Sequence, residues 1–150
     1  MPDAREKKRP ESVLVVIHTR ALDCLLLERV RPAGFWQSVT GSLRWEETPA
    51  ECAAREVREE TGLDAAGLSD AHVQRTFPIL PEWRMRYGDG VDTNLEHLFY
   101  LELAAPCEVT LAPSEPVSYA WLPLDAAIRE VSSWTNREAL ERLRDGAAPR

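Results

Sequence analysis

The sequence predicts a single α/β (α+β) domain in which a sheet is layered with helices. Three observations point there. Two short apolar runs near the N-terminus, "SVLVVI" and "CLLLE", read as buried strands; the segment from Thr48 to Thr61 carries the start and stop signals of a helix; and helical stretches return near the C-terminus. At 150 residues and 44% hydrophobic, the chain suits one core spanning 1–150, with residues 1–7 and 146–150 expected as flexible termini.

The elements follow in order. After the two strands, "FWQSVTG" gives a third extended piece ending at Gly41. Thr48 is an N-cap, Pro49 suits the first helical position, Glu51 completes a capping box, and Gly62 supplies the left-handed stop. "HVQRTFPIL" predicts another strand, and the prolines and glycines of "PEWRMRYGDGVD" predict an extended loop or lid. In "TNLEHLFYLEL", Leu95, His97, Phe99, Leu101 and Leu103 share one face and Asn94, Glu96, Leu98, Tyr100 and Glu102 the other. One face is expected in the core, the other along a site. "VSYAWL" reads as a strand, "LDAAIREV" as a helix, and "TNREALERL" as a last helix with Thr135 and Glu138 in capping-box spacing.

Composition excludes several classes. A formal net charge of −7 disfavours nucleic acid as a partner, because phosphate binding needs a basic surface. Any polyanionic ligand must meet local positive charge or a metal. The polar N-terminus lacks the apolar segment of a secretory signal, and no run approaches the roughly 18 apolar residues of a membrane span, so a cytoplasmic location with no membrane partner is expected. Cys24, Cys52 and Cys107 are odd in number and widely spaced, and read as small buried hydrophobes. His18, His72 and His97 show no ligand spacing and receive no chemistry.

The informative stretch is "REVREETG", Arg55 to Gly62. On a helix Glu56 and Glu60 sit four apart and Glu59 three from Glu56, so three carboxylates project over adjacent turns. Two such charges at about 5 Å repel by roughly 3 kcal/mol at an effective dielectric of 20. Arg55 and Arg58 compensate in part. One reading is a solvated, salt-bridged face; the other is a hard divalent cation such as Mg²⁺, which takes carboxylates plus substrate phosphate oxygens.

Context separates the two. From Gly41 the chain reads "GSLRWEETPAECAAREVREETGL", fitting G-x5-E-x7-R-E-U-x-E-E-x-G-U with U apolar. Seven identities are matched: Gly41, Glu47, Arg55, Glu56, Glu59, Glu60 and Gly62. Chance would produce this with a probability on the order of 10⁻⁸ to 10⁻⁷ at ordinary residue frequencies. The stretch resembles the box of the Nudix hydrolase family. The resemblance implies the Nudix fold, a mixed β-sheet sandwiched between α-helices, and a diphosphatase requiring Mg²⁺, with Mn²⁺ as an alternative. It implies that Gly41 lets the chain turn into the metal site, that Arg55 holds the acidic cluster, and that Glu56, Glu59 and Glu60 are metal ligands. Glu59 or Glu60 is also a candidate general base, and sequence does not separate the two roles.

Beyond the box, "KRP", "FWQSVTGS", the Asn94-x-Glu96 pair, "SEPVSYAWL" and "SSWTNREAL" resemble the Nudix branch acting on 7,8-dihydroneopterin triphosphate. That likeness, from about Lys8 to Leu140, implies release of pyrophosphate to leave dihydroneopterin monophosphate in folate biosynthesis. It places substrate contacts on Lys8, Arg29, Thr40 and Ser133 and a further metal carboxylate on Glu115. Each has a plainer reading: Lys8, Arg29 and Glu115 as surface charges, Thr40 as a strand former, Ser133 as a residue preceding a helix cap. Arg84 and Arg86 suit phosphates, and Trp83 or Tyr87 suits stacking on a ring or packing the loop. Two other functions stay open: a Nudix hydrolase of nucleoside triphosphates or a nucleotide sugar, toward which Pro78 points weakly, and a non-catalytic Nudix-fold binding module.

Overall fold

The computed structural model describes residues 7–30, 34–113 and 118–149. Its centre is β1, Glu11–Thr19, where every residue from Ser12 to Thr19 is buried, as a strand with neighbours on both edges and both faces must be. The other strands are β2 (Asp23–Glu28), β3 (Trp36–Gln37), β4 (Val39–Ser42), β5 (Leu68–Pro78), β6 (Thr93–Leu103) and β7 (Ser118–Pro123). The sheet they form runs β3-β2-β1-β6-β5, with β4 paired to β1 and β7 to β2. Only the β1–β6 pairing is parallel among these; the rest are antiparallel.

Alternation along the strands sends side chains to opposite faces. Val13, Val15, Ile17, Phe99 and Leu101 pack against Cys52, Ala53 and Val57 of α1 (Pro49–Thr61). On the opposite face Leu14, Val16, Leu98 and Tyr100 meet residues of α2 (Leu124–Glu130) and α3 (Trp134–Arg144). The expected sandwich of helices about a mixed sheet is what the chain forms.

Several elements differ from the sequence reading. "FWQSVTG" splits into β3 and β4, which pair with different partners. The segment expected as an extended loop contains a 3₁₀ helix, Pro81–Arg86, and is stitched to the N-terminal segment: Lys8 N–H donates to the Arg86 carbonyl at 2.7 Å, and Lys8 bridges Tyr87. Both faces of β6 are buried, the Asn94/Glu96 side included. Cys107 is exposed, unlike Cys24 and Cys52.

Helix α3 begins earlier than Thr135. Ser133 is its N-cap, its hydroxyl accepting from Asn136 N–H at 3.1 Å. The cause is tertiary: the buried Asn136 carboxamide exchanges hydrogen bonds with Ser38, at 2.8 and 2.9 Å, and anchors the first turn. Of the expected flexible termini, residues 1–6 and 150 lie outside the described residues. Lys7 reaches the Met85 carbonyl, and the Gly146 and Ala147 N–H groups close the end of α3. No helix among the described residues is long and apolar enough to cross a membrane.

Candidate active site

Helix α1 is written locally. Thr48 accepts from Glu51 N–H, the Glu51 carboxylate accepts from Thr48 N–H, Pro49 occupies the first turn, and Gly62 adopts φ 71° at the C-cap. A cap of this kind contributes about 1 kcal/mol. Starting the helix there directs Arg55, Glu56, Glu59 and Glu60 toward β4 and the loop before Thr48.

Arg55 organises the acidic cluster. Its Nε and Nη2 bind the two Glu47 carboxylate oxygens at 2.6 and 2.9 Å, and Nη1 reaches Glu56 at 2.8 Å and Glu59 at 3.1 Å. A fourth partner is the Ser42 carbonyl, reached by Nη2 at 3.2 Å. The guanidinium fork thus offsets the repulsion that the crowded glutamates create. The Arg55 bond holds the Glu47 carboxyl down at about 2, whereas burial pushes Glu56 above the ordinary carboxylate range. Glu59 is half exposed and also faces Arg44 at 3.6 Å.

Gly41 lies within β4, opposite Val13, and not in a turn. The reason for glycine is close approach: a Cβ here would sit 2.2 Å from the Glu56 Cδ. The bare backbone is the cradle in which the Glu56 carboxylate rests. This replaces the expected role of turning the chain.

Beside that cradle opens a cavity of about 280 Å³. Glu56 and Glu60 contribute carboxylates, and Lys8 and Arg29 positive charge. Strands β1 and β4 add Ser12, Thr40, Gly41 and Ser42. Burial, followed by the neighbouring charges of Arg86 and Arg29, lowers the Lys8 ammonium from its ordinary value. Cations and carboxylates face one opening, an arrangement suited to an anionic ligand held jointly by basic side chains and a cation.

A family model described as NUDIX domain matches residues 8–143. The chain belongs to the Nudix family. Dihydroneopterin triphosphate diphosphatase of Escherichia coli K12 is 42% identical over 146 residues, covering 94% of this chain and 96% of that one. The Haemophilus influenzae enzyme of the same name is 34% identical, over 90% and 87%. Among solved structures, E. coli dihydroneopterin triphosphate pyrophosphohydrolase superposes with a TM-score of 0.85 at 37% identity, covering 93% of this chain and 98% of that one.

Nudix hydrolases generally use divalent metal ions, and the residues here fit one. The donors are carboxylate oxygens, the kind a hard cation takes, and Gly41 leaves room for the Glu56 carboxylate at the cavity wall. Among the described residues no three acidic, His or Cys side chains form a ready cage.

Of the residues expected at the site, Lys8, Arg29, Thr40, Glu56 and Glu60 share the cavity. Arg55 and Glu59 flank it through their ion pairs. Ser133 stands at the head of α3, outside the cavity lining, with its hydroxyl engaged in the cap. Glu115 lies outside the described residues. Sequence reasoning missed Ser12 and Ser42, for which no spacing signal exists. It also missed Arg9, whose Nη1 lies 3.0 Å from each of the Arg44, Trp45 and Glu47 carbonyls and so braces the box loop.

Proposed function

We propose that this protein is a single-domain, cytoplasmic diphosphatase that hydrolyses 7,8-dihydroneopterin triphosphate to dihydroneopterin monophosphate and pyrophosphate, with Mg²⁺ or Mn²⁺ as cofactor. The observation carrying this reading is the meeting of Lys8 and Arg29 with Glu56 and Glu60 in one cavity. Identity of 42% over nearly the whole length of a relative named for that activity supports it.

The reaction adds one water across a phosphoanhydride: a P–O bond forms to the water oxygen, the anhydride P–O bond breaks with its electron pair leaving on the departing phosphate, and the water proton passes to the general base and on to solvent. When bound, a divalent cation neutralises phosphate oxygens and acidifies water. Lys8 and Arg29 hold the triphosphate's negative charge. Glu56 and Glu60 would ligate the cation, with Glu115 as a further carboxylate. Glu59, half exposed, is ligand or base, and Glu60 shares the candidacy for base. Arg55 keeps these carboxylates in position without touching substrate. Thr40, in the cavity lining, and Ser133, at the α3 end, are the other two proposed substrate contacts.

Phosphorus NMR of the products with Mg²⁺ present tests the proposal. Pyrophosphate and the pterin monophosphate are expected from wild type, and neither from Glu56→Gln or Glu60→Gln. Faster turnover of nucleoside triphosphates than of the pterin would replace the substrate assignment. Equal activity of the glutamine variants, or full turnover in excess chelator, would remove the metal chemistry.

A further inference from the structure

The cavity wall carries two hydroxyls whose hydrogen-bond directions their neighbours set. Asn94, buried at the start of β6, donates from Nδ2 to Ser12 Oγ at 2.8 Å. Since the Ser12 oxygen accepts there, its own hydrogen is left to donate. Thr40 is the opposite case: its hydroxyl donates to the Val13 carbonyl at 2.9 Å, which leaves oxygen lone pairs to accept.

Register says where these groups point. Ser12 pairs with Ser42, Val13 with Gly41 and Leu14 with Thr40. Gly41 faces α1, because Glu56 lies against it. Ser12 and Thr40 alternate with it and share the face of Leu14, on the α3 side. β4 is paired only with β1 among the described strands, and the cavity lining includes residues of both faces, Glu56 and Glu60 with Ser12 and Thr40. A ligand whose anionic end meets Glu56 and Glu60 on one face therefore presents a different part of itself to Ser12 and Thr40 on the other. The two hydroxyls are diagonal neighbours, with backbones about 7–8 Å apart, so that a single ring edge lying between them can meet both.

We infer that Ser12, oriented by Asn94, is a specificity residue that donates to a ring carbonyl on the non-phosphate end of the substrate, while Thr40 accepts from a ring-borne N–H. This rests on the proposed function and deepens it: an amino-oxo pyrimidine ring such as that of a pterin offers both groups, and a ring bearing an amino group in place of the carbonyl does not.

Three variants, Ser12→Ala, Asn94→Asp and Asn94→Leu, test the inference in the full-length protein with Mg²⁺. Losing one neutral hydrogen bond is expected to raise KM for 7,8-dihydroneopterin triphosphate about tenfold in Ser12→Ala, with kcat within about twofold. Asn94→Asp keeps the Ser12 hydroxyl but turns the bond around, consuming its hydrogen, and is expected to match Ser12→Ala. Asn94→Leu frees the hydroxyl to rotate and should fall between them and wild type. Inhibition by inorganic tripolyphosphate should be unchanged in all three. An unmoved pterin KM overturns the inference, as does an equal loss of tripolyphosphate inhibition, which would place Ser12 on phosphate. A wild type inactive on the pterin would overturn the proposed function. The inference is then decided by the GTP-over-ATP ratio of kcat/KM, because guanine carries the same amino-oxo ring: a roughly tenfold fall in Ser12→Ala upholds it and an unchanged ratio overturns it.

Discussion

Replacing Gly41 with alanine isolates the close approach on which the site is built. The added Cβ would lie 2.2 Å from Glu56 Cδ, 2.3 Å from Oε1 and 2.6 Å from Cγ. The nearest of these falls about 1.2 Å short of an ordinary 3.4 Å contact. These three nearest atoms all belong to one flexible side chain, so the carboxylate is expected to retreat while the backbone stays. Stability is expected to change by no more than about 1 kcal/mol, a shift in Tm of at most about 2–4 °C for a chain of this size. Activity has no such slack. Glu56 is bonded to Arg55 at 2.8 Å, and a displacement near 1 Å at a reacting centre costs about 10²-fold. Steady-state kinetics with thermal melts should show kcat/KM down about 10²-fold and a nearly wild-type Tm. In Glu56→Gln, already impaired, the added Gly41→Ala should cost far less than in wild type, since both act on one carboxylate. A Gly41→Ala protein within threefold of wild-type turnover would refute the reasoning, and so would full additivity of the two substitutions.

Three further outcomes are expected. Arg55→Lys retains the charge but cannot hold Glu47 through two nitrogens while reaching Glu56 and Glu59, so turnover should fall at least 10²-fold; activity near wild type would show that charge alone suffices. Arg9→Ala removes three contacts to the box-loop carbonyls and an ion pair to Glu11, and should cost about 1–3 kcal/mol in urea denaturation while speeding amide exchange in residues 44–48. Unchanged exchange would show that the loop holds itself. Glu96 gives a pH signature. Burial raises its carboxyl to about 7, so the folded protein binds this proton more tightly than the unfolded chain. The resulting stability is complete below about pH 4.5 and is lost as pH rises through 7, at most about 3 kcal/mol. Glu96→Gln should flatten that slope between pH 5 and 8, and an undiminished slope would assign it to another group.

How much was legible in the sequence follows from how far each partner lies along the chain. Helix α1 was readable residue by residue because Thr48, Pro49, Glu51 and Gly62 act on backbone groups within a turn of themselves. The acidic cluster was readable for the same reason: Glu56, Glu59 and Glu60 meet through helical spacing, and Arg55 sits among them. The start of α3 was misread because Thr135 and Ser133 both offer capping hydroxyls, and the choice is made by Ser38 from far upstream. The segment Pro81–Arg86 looked like a loop because what orders it is the pairing of Lys8 with Arg86 and Tyr87.

The same distinction divides the site itself. Its anionic half is one helix, local and legible from spacing. Its cationic half brings Lys8 from before β1 together with Arg29 from after β2, which no spacing rule connects; only the family resemblance placed them. Arg9 escaped notice because its partners are carbonyl oxygens, which every residue carries. Ser12 escaped because a lone serine opening a strand has no direction until Asn94, on the parallel neighbour β6, supplies one. A residue's chemistry is thus written in its identity, but the direction in which that chemistry is used depends on a partner the fold must bring to it. For this reason Asn94→Asp, which leaves the Ser12 hydroxyl in place and reverses only its hydrogen bond, is the substitution that most sharply separates what Ser12 is from what the fold makes it do.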